Sequence, residues 1–361
     1  RCLAQLELYN LTGDAGLLQQ THKAMEFLLS GGGLVITGTS GIAECWDASQ
    51  AGNGKLGETC ATAYLIRILD KLLRLNGDLS YGDLQERSIY GALFATQSPD
   101  GRRIRYYTPF EGPRQYFEKD TYCCPGNFRR IAAELPELVY YRYGCGLAVN
   151  LYTASRLEAE IQPGLPIELV QETDYPNSGR VRLHLNTRAA ATFPVRLRKP
   201  AWCREYTLMV NGKATVASVL PDSLCIERQW LPGDSITLEM AMPWRLIRGF
   251  NKQQGRGAIM RGPMVFSLNP LRNSALMDKD LKQITIDPTS LCAPIRDHSS
   301  RPDGLGCRVK ASIGHDQDIQ GQECELVLTE FADPGAEATY FLIPDLGASI
   351  QDELLTRSAC V

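Results

Sequence analysis

Three cysteines and one glutamate are the residues of this 361-residue sequence with the clearest capacity for chemistry. Cys123 and Cys124 directly precede Pro125, and the motif Glu58-Thr59-Cys60 lies upstream. Three thiolates and a carboxylate can complete the four-coordinate shell of a zinc ion, and a zinc-bound thiolate can be a ligand or a nucleophile. The alternative interpretation is that these are ordinary buried thiols, since twelve cysteines make chance neighbours common.

The backbone must turn near these residues if their side chains are to meet. Neighbouring residues of a regular helix or strand point in different directions, so we expect Cys123 and Cys124 on a turn that Pro125 keeps extended. Glu58 and Cys60 are expected at the start of a helix, where the backbone is irregular enough for both side chains to point the same way.

Glu44 is a candidate proton donor. It lies upstream of Glu58, in the loop Gly41–Trp46, and the flexible stretch 51–54 separates the two glutamates. A carboxyl group in apolar surroundings, such as those beside Trp46, is suited to general acid catalysis. A solvated loop carboxylate is the alternative interpretation.

Helical periodicity dominates residues 1–145. Two short helices are predicted before the glycines at 31–33, separated by the loop Thr12-Gly13-Asp14. Further helices are predicted from Glu58 to about Gly77, from Tyr81 to Thr96 and from Asn127 to Leu135. Short loops between successive helices indicate helical hairpins packed side by side.

Short β-rich segments separated by turn residues replace this pattern after Gly146. Predicted strands lie at 147–152, 167–172, 180–186, 195–199, 206–210, 224–229 and 235–240, and their regular spacing predicts a β-sandwich over residues 146–245. Residues 246–361 are predicted to form a second β-rich domain, with strands near 258–260, 264–268, 324–329 and 339–343. Its polar stretch from 270 to 320 shows no pattern that organises it.

Composition narrows the class of protein. A formal net charge of −3 gives no reason to expect nucleic acid as a partner, and the apolar runs are too short to cross a membrane. The chain begins inside a predicted helix, so we expect it to be the C-terminal portion of a longer chain. Scattered cysteines favour reduced thiols, from which we expect a cytoplasmic location.

Five motifs in fixed order resemble glycoside hydrolase family 127, the β-L-arabinofuranosidase family, formerly described only as a domain of unknown function. All lie within about residues 35–135: Gly41–Trp46, Glu58-Thr59-Cys60, the helix Tyr81–Leu93 with Glu86, Tyr106–Pro109, and Cys123–Asn127. Beyond residue 146 the resemblance, which is weaker, is to the family's β-sandwich domains.

The resemblance implies a fold and a metal site. It implies an α + β multidomain protein in which an (α/α)6 catalytic barrel precedes β-sandwich domains, and residues 1–145 hold about half of such a barrel. It also implies that zinc (Zn2+) is the cofactor, with the ligands Glu58, Cys60, Cys123 and Cys124.

The same resemblance implies roles in catalysis. Cys123 corresponds to the nucleophile and Glu44 to the general acid/base, while Glu86 and Tyr106 match positions that line the sugar pocket. The expected function is therefore retaining hydrolysis of terminal β-L-arabinofuranosides or a related sugar, with a carbohydrate substrate as the partner. The family's pocket histidines have no match in this sequence.

Two other functions stay open at this point. One is a non-catalytic protein that binds glycan or a partner and uses zinc only structurally. The other is a sugar lyase or isomerase on the same fold. A homodimer is compatible with each of them.

Overall fold

A computed structural model of the protein describes residues 1–31, 33–276, 279–314 and 322–355. Helices concentrate in the first part of the chain, as predicted. They are α1 (Cys2–Thr12), α2 (Ala15–Leu29), α3 (Thr59–Asn76), α4 (Ser80–Ser88), α5 (Phe94–Thr96) and α6 (Cys123–Glu134).

The predicted loop between the first two helices is confirmed. Gly13 closes α1 in a left-handed conformation with φ of 71°, and its N–H donates to the carbonyl oxygen of Tyr9. The side chain of Asp14 accepts a hydrogen bond from the N–H of Gly16, which caps the start of α2. Helix α3 also begins and ends where its apolar periodicity predicted.

A π-helical turn at Ile89–Leu93 interrupts the helix that was predicted from Tyr81 to Thr96. Here the backbone N–H of Ala92 donates to the carbonyl oxygen of Thr37 at an N···O distance of 3.1 Å. Gly91 permits this approach, because a Cβ atom at that position would lie 2.3 Å from the same oxygen. The π turn therefore anchors the buried loop 33–40, which leads directly to Glu44.

Two compact units make up the chain, and neither is continuous in sequence. The first unit consists of Arg1–Ile68, Arg87–Ile131 and the chain from Trp244 onward. The second unit consists of Leu69–Glu86 and Ala132–Pro243. The three consecutive domains expected from the sequence stay a prediction.

The second unit contains two sheets. Its strands are β1 (Tyr140–Tyr143), β2 (Gly146–Val149), β3 (Ser155–Gln162), β4 (Leu165–Thr173), β5 (Arg180–Thr187), β6 (Ala191–Arg198), β7 (Tyr206–Val210), β8 (Lys213–Ala214), β9 (Ser218–Val219), β10 (Ser223–Trp230) and β11 (Asp234–Met240). The strand orders are β1-β2-β6-β10-β9 and β3-β4-β5-β11-β7-β8. Buried and exposed side chains alternate along β5, so one face of its sheet is covered, as expected for a sandwich.

The first unit contains a sheet that closes on itself. Its strands are β12 (Trp244–Arg248), β13 (Arg256–Arg261), β14 (Met264–Leu268), β15 (Ile284–Asp287), β16 (Ile295–Arg296), β17 (Leu305–Ile313), β18 (Gln322–Glu330) and β19 (Tyr340–Leu342). Closure occurs because β19 pairs with both β15 and β13. The stretch 270–320, which had no readable pattern, supplies three of these strands; residues 315–321 and the tail from 356 lie outside the described residues.

A buried cluster attaches loops of the first unit to this sheet. Met260 and Val265 of the sheet share the cluster with Val35 and Leu56 of the preceding loops and with Phe110. Leu56 is two residues before Glu58, so the burial of these apolar side chains fixes the backbone that leads into α3.

Along the described residues, we find no helix that combines the length and the apolar character that crossing a bilayer requires.

A buried ion cluster in the second unit provides a test of the fold. Arg198, which is fully buried, donates hydrogen bonds to the carboxylates of Asp83 and Glu86. Arg198→Met would leave both carboxylates buried without their cation, so we expect a loss of about 3–5 kcal/mol in the free energy of unfolding. Denaturant titration measures this loss.

The control for this test is Arg156→Met, which removes ion pairs to Glu158 and Glu168 from an exposed arginine. We expect it to cost at most about 1 kcal/mol. A loss for Arg198→Met as small as that for Arg156→Met would show that Asp83 and Glu86 do not depend on the charge of Arg198.

Candidate active site

Four potential metal ligands converge in the first unit. One carboxylate oxygen of Glu58 and the sulfur atoms of Cys60, Cys123 and Cys124 all lie within 4.8 Å of one another. The sulfur atoms of Cys60 and Cys124 are 3.2 Å apart, and that of Cys124 is 3.7 Å from Oε1 of Glu58. Glu58 and Cys124 are buried, Cys60 is half-buried, and Cys123 is exposed.

The local structure at Cys123 differs from the prediction. Helix α6 begins at Cys123 rather than at Asn127, so the predicted extended turn before Pro125 is wrong. Both cysteines lie in the first helical turn, where proline is tolerated because the first N–H groups of a helix have no intrahelical acceptor. The positive end of the helix dipole there favours anionic ligands.

Glu58 and Cys60 are positioned by an antiparallel contact with residues 105–107. Glu58 forms a bridge with Tyr107, and the N–H of Thr59 donates to the carbonyl oxygen of Tyr106 at 2.9 Å. The hydroxyl of Thr59 donates to the carbonyl oxygen of Arg105 at 2.8 Å. Thr59 therefore anchors the backbone between Glu58 and Cys60.

Tyr106 touches the exposed cysteine. Its hydroxyl oxygen lies 3.3 Å from the sulfur of Cys123. This contact raises the pKa of Tyr106, so the phenol keeps its proton and can donate it in a hydrogen bond to the sulfur.

Asn127 contacts the cluster from one turn further along α6. Its amide nitrogen donates to the sulfur of Cys60 at 3.1 Å, while its amide oxygen accepts from Arg130 at 2.8 Å. Hydrogen bonds from Cys124 and then Asn127 lower the pKa of Cys60 to about 7. The pKa of Cys124 is raised, because its proton is held in the contact with Cys60.

Glu44 lies at the tip of a tight two-residue turn. Ile42 and Cys45 exchange backbone hydrogen bonds of 2.7 and 3.1 Å, and Ala43 and Glu44 between them have φ of 49° and 67°. Positive φ at both positions is the pattern of a type I′ turn, which favours asparagine and glycine. The turn presents Glu44 as an exposed side chain. Burial raises the pKa of Tyr107, and the charges of Glu58 and Glu44 add to that shift.

Glu86 has a different environment from the one that its assignment to the sugar pocket would require. It lies in the second unit, is only 1% exposed, and accepts a hydrogen bond from Arg198. Burial raises the pKa of Glu86, and the Arg198 charge opposes that shift. The role of Glu86 in substrate binding stays a prediction without support from this geometry.

A cleft of about 700 Å³ adjoins Tyr106. Its lining includes five aromatic residues and one lysine: Tyr106, Tyr107, Tyr116, Phe117, Tyr122 and Lys119. Sequence reasoning identified Tyr106 but gave no role to the others or to Asn127. The signal for Asn127 was its spacing from Cys123 and Cys124, which places it one helical turn away once α6 starts at Cys123.

The donor set is suited to zinc. Thiolate sulfur and carboxylate oxygen are both zinc ligands in proteins, whereas calcium and magnesium select oxygen ligands and would not favour three sulfur atoms. Donor separations of no more than 4.8 Å allow all four residues to reach one ion with small side-chain adjustments.

Comparison with known proteins places the chain in a family. The model of the β-L-arabinofuranosidase GH127 catalytic domain matches residues 1–137, and that of the GH127 middle domain matches residues 146–242. The chain belongs to glycoside hydrolase family 127. This membership confirms the resemblance carried by the five sequence motifs.

The GH127 relatives are longer than this chain. A non-reducing end β-L-arabinofuranosidase of Bifidobacterium longum is 27% identical over an alignment of 300 residues, which covers 75% of this chain and 45% of the relative. A GH127 β-L-arabinofuranosidase from Geobacillus stearothermophilus T6 aligns with a TM-score of 0.83 at 22% identity, covering 95% of this chain and 59% of its own. A further GH127 β-arabinofuranosidase structure gives 0.85 at 24% identity, with coverages of 97% and 60%. These two structures show the likeness of fold.

Metal content tests the four-donor cluster. We expect the purified protein to carry one equivalent of zinc per chain, and Cys124→Ser to lose most of it, because a buried thiolate ligand is replaced by a poor one. Elemental analysis by mass spectrometry measures both. Cys145→Ser removes an exposed free thiol outside the cluster and should retain zinc; equal loss in both variants would argue against a specific site.

The backbone before Glu58 gives a second test. A Cβ atom at Gly57 would lie 2.7 Å from the hydroxyl oxygen of Thr108, so Gly57→Ala should displace Glu58 and speed the loss of zinc to a chelator at least several-fold. Gly54→Ala is the matched control, since Gly54 has nearly the same φ, 69° against 67°, with no atom within 4 Å of its Cβ position. Both variants share the backbone strain, of about 1 kcal/mol, and only the first has the clash.

Proposed function

We propose that this chain carries the catalytic residues of a retaining glycosidase that removes terminal β-L-arabinofuranose or a closely related sugar. The observation that carries the proposal is the asymmetry of the four-donor cluster. Cys124 and Glu58 are buried, whereas Cys123 is exposed and touches Tyr106, which lines the cleft. A purely structural zinc site would enclose its ligands, so an exposed sulfur favours catalysis.

The chemistry assigned to these residues is a double displacement. Zinc, when bound, keeps its coordinating thiols deprotonated. The sulfur of Cys123 attacks the anomeric carbon, a C–S bond forms, and the glycosidic C–O bond breaks as Glu44 gives its proton to the leaving oxygen. Glu44 then takes a proton from water, the water oxygen bonds to the same carbon, and the C–S bond breaks. Two inversions retain the configuration.

Other residues of the chain support these steps. The hydroxyl of Tyr106 orients the sulfur of Cys123. The amide N–H of Asn127 donates to the sulfur of Cys60 and thereby fixes the orientation of the lone pairs of that sulfur. The buried carboxylate of Glu58 and the buried thiol of Cys124 are assigned as ligands only, because neither is accessible to a sugar.

The (α/α)6 barrel belongs to the same proposal. It is supported by the match of residues 1–137 to the GH127 catalytic domain and by the likeness of fold to GH127 structures. Within the proposal, helices α1 to α6 are barrel helices, and the zinc ligands are at the starts of α3 and α6.

Activity of two variants of the full-length protein tests the mechanism. On an aryl β-L-arabinofuranoside, we expect Cys123→Ala to abolish turnover, because the nucleophile is gone. Glu44→Gln should lower kcat/KM, which reports the first displacement, by about 10²–10⁴. That loss should shrink when the leaving group is a dinitrophenol, which needs no protonation.

Controls and products complete this experiment. Cys145→Ser should keep wild-type activity, and released sugar should first appear as the β-anomer. Full activity in both Cys123→Ala and Glu44→Gln would end the mechanistic proposal, and an unsaturated sugar product would identify a lyase instead.

A further inference from the structure

Arg130 lies about two helical turns after Cys123 on α6, outside the set of four donor residues. Its Nη2 atom donates to the amide oxygen of Asn127 at 2.8 Å, and its Nε atom donates to the carbonyl oxygen of Gly126 at 3.3 Å. The two acceptors belong to residues three and four positions earlier, which share a face of the helix with Arg130. The helix therefore holds the guanidinium against the amide of Asn127.

Asn127 connects Arg130 to the four-donor cluster. It is only 3% exposed, and its amide nitrogen lies 3.1 Å from the sulfur of Cys60. The oxygen and the NH2 group of a carboxamide are similar in size, so a buried asparagine can turn either one toward a neighbour. An arginine side chain has N–H donors and no acceptor, so the amide atom that faces it must be the oxygen. Arg130 thus leaves the amide nitrogen facing the sulfur.

The sulfur of Cys60 requires this orientation of the amide when it is a metal ligand. A coordinating thiol is deprotonated, and a thiolate accepts hydrogen bonds but has none to donate. The reversed amide would place oxygen lone pairs against the thiolate in a buried site, where water does not weaken the repulsion. Residues that hydrogen-bond to metal ligands typically change metal affinity by about 10–100-fold.

The charge of Arg130 acts mainly through this chain of hydrogen bonds. The four donors, when deprotonated, carry four negative charges against the two positive charges of a zinc ion. A cation nearby would offset the excess, but Arg130 is exposed, and the field of an exposed charge is screened by water and salt. The guanidinium also polarises the amide to which it donates, which strengthens the hydrogen bond from Asn127 to the sulfur.

Arg129 provides a comparison within the same helix. It is also exposed, but its guanidinium pairs with the carboxylate of Asp120 and donates to the carbonyl oxygen of that residue at 3.1 Å. Adjacent residues of a helix point in different directions, so the two arginines have different neighbours. Arg129 and Arg130 therefore match in charge and exposure and differ in the contact with Asn127.

We propose that Arg130 is a positioning residue for the zinc site. It fixes the amide of Asn127 with the nitrogen toward Cys60, and this contact keeps the sulfur of Cys60 on the metal. The inference rests on the zinc site of the proposed function. It adds to that site a residue that acts through Asn127 and is not itself a ligand.

Zinc retention in the full-length protein tests this inference. We expect Arg130→Met to speed the transfer of zinc to a chromogenic chelator about tenfold, because the amide of Asn127 is then free to turn. Arg130→Lys should recover most of this loss, since an ammonium group can also donate to the amide oxygen. Arg129→Met is the matched control and should change the rate less than about twofold.

Two further measurements separate amide orientation from a general loss of structure. Asn127→Ala removes the donor itself, so adding Arg130→Met to it should cause no further increase in the rate of zinc release. In cobalt-substituted protein, Arg130→Met should shift the sulfur-to-cobalt charge-transfer band to longer wavelength, because the thiolate loses a hydrogen bond that lowers the energy of its electrons. Arg129→Met should leave the band in place.

The outcomes distinguish this inference from the proposed function. Unchanged zinc release in Arg130→Met, or an equal increase in Arg129→Met, would overturn the inference. Additive effects of Asn127→Ala and Arg130→Met would also overturn it, because they would show that the two residues act independently. Zinc release is measured without substrate, so a zinc-loaded but inactive enzyme would end the proposed function while the release rates still decide the inference. A wild type that binds no zinc would overturn both.

Discussion

The candidate site depends on one short antiparallel contact, in which Glu58 pairs with Tyr107. This contact holds Glu58 in an extended conformation, so that α3 begins only at Thr59 and its first residues can reach one ion position. It also brings the neighbouring Tyr106 to the sulfur of Cys123, at 3.3 Å. A proposed metal ligand, Glu58, and a cleft residue, Tyr106, are therefore placed by the same pair of hydrogen-bonded segments, and the burial of Leu56 against the closed sheet keeps that pair in place.

The sequence carried enough information to predict the four donor residues, since cysteine and glutamate are the residue types that zinc requires. It did not carry the geometry at Cys123. A proline biases the residue before it away from helix, which predicted a turn, but inside a first helical turn the missing N–H has no cost. No role was predicted for Asn127, because its contact with Cys60 depends on α6 beginning at Cys123.

Apolar periodicity in the sequence predicted the helices and strands that bury a single face. Helix α3 has an apolar face repeated over several turns, and the strands of the second unit alternate in burial. The π turn at Ile89–Leu93 was not predictable in this way, because the N–H of Ala92 donates to the carbonyl oxygen of Thr37, more than fifty residues earlier in the chain. Strand β17 is a different case. Its sequence does alternate apolar and polar residues over 305–313, but the neighbouring segments are polar and irregular, so the strand was not predicted.

The turn at Ala43 and Glu44 has a consequence for evolution and engineering. Both residues adopt positive φ, which only glycine and asparagine tolerate well, so each adds strain of about 1 kcal/mol or more to the folded state. Substituting Asn-Gly at these two positions would make the protein more stable and would remove the proposed acid/base. At this turn, the most stable residue pair and the pair that the proposed mechanism requires are therefore different.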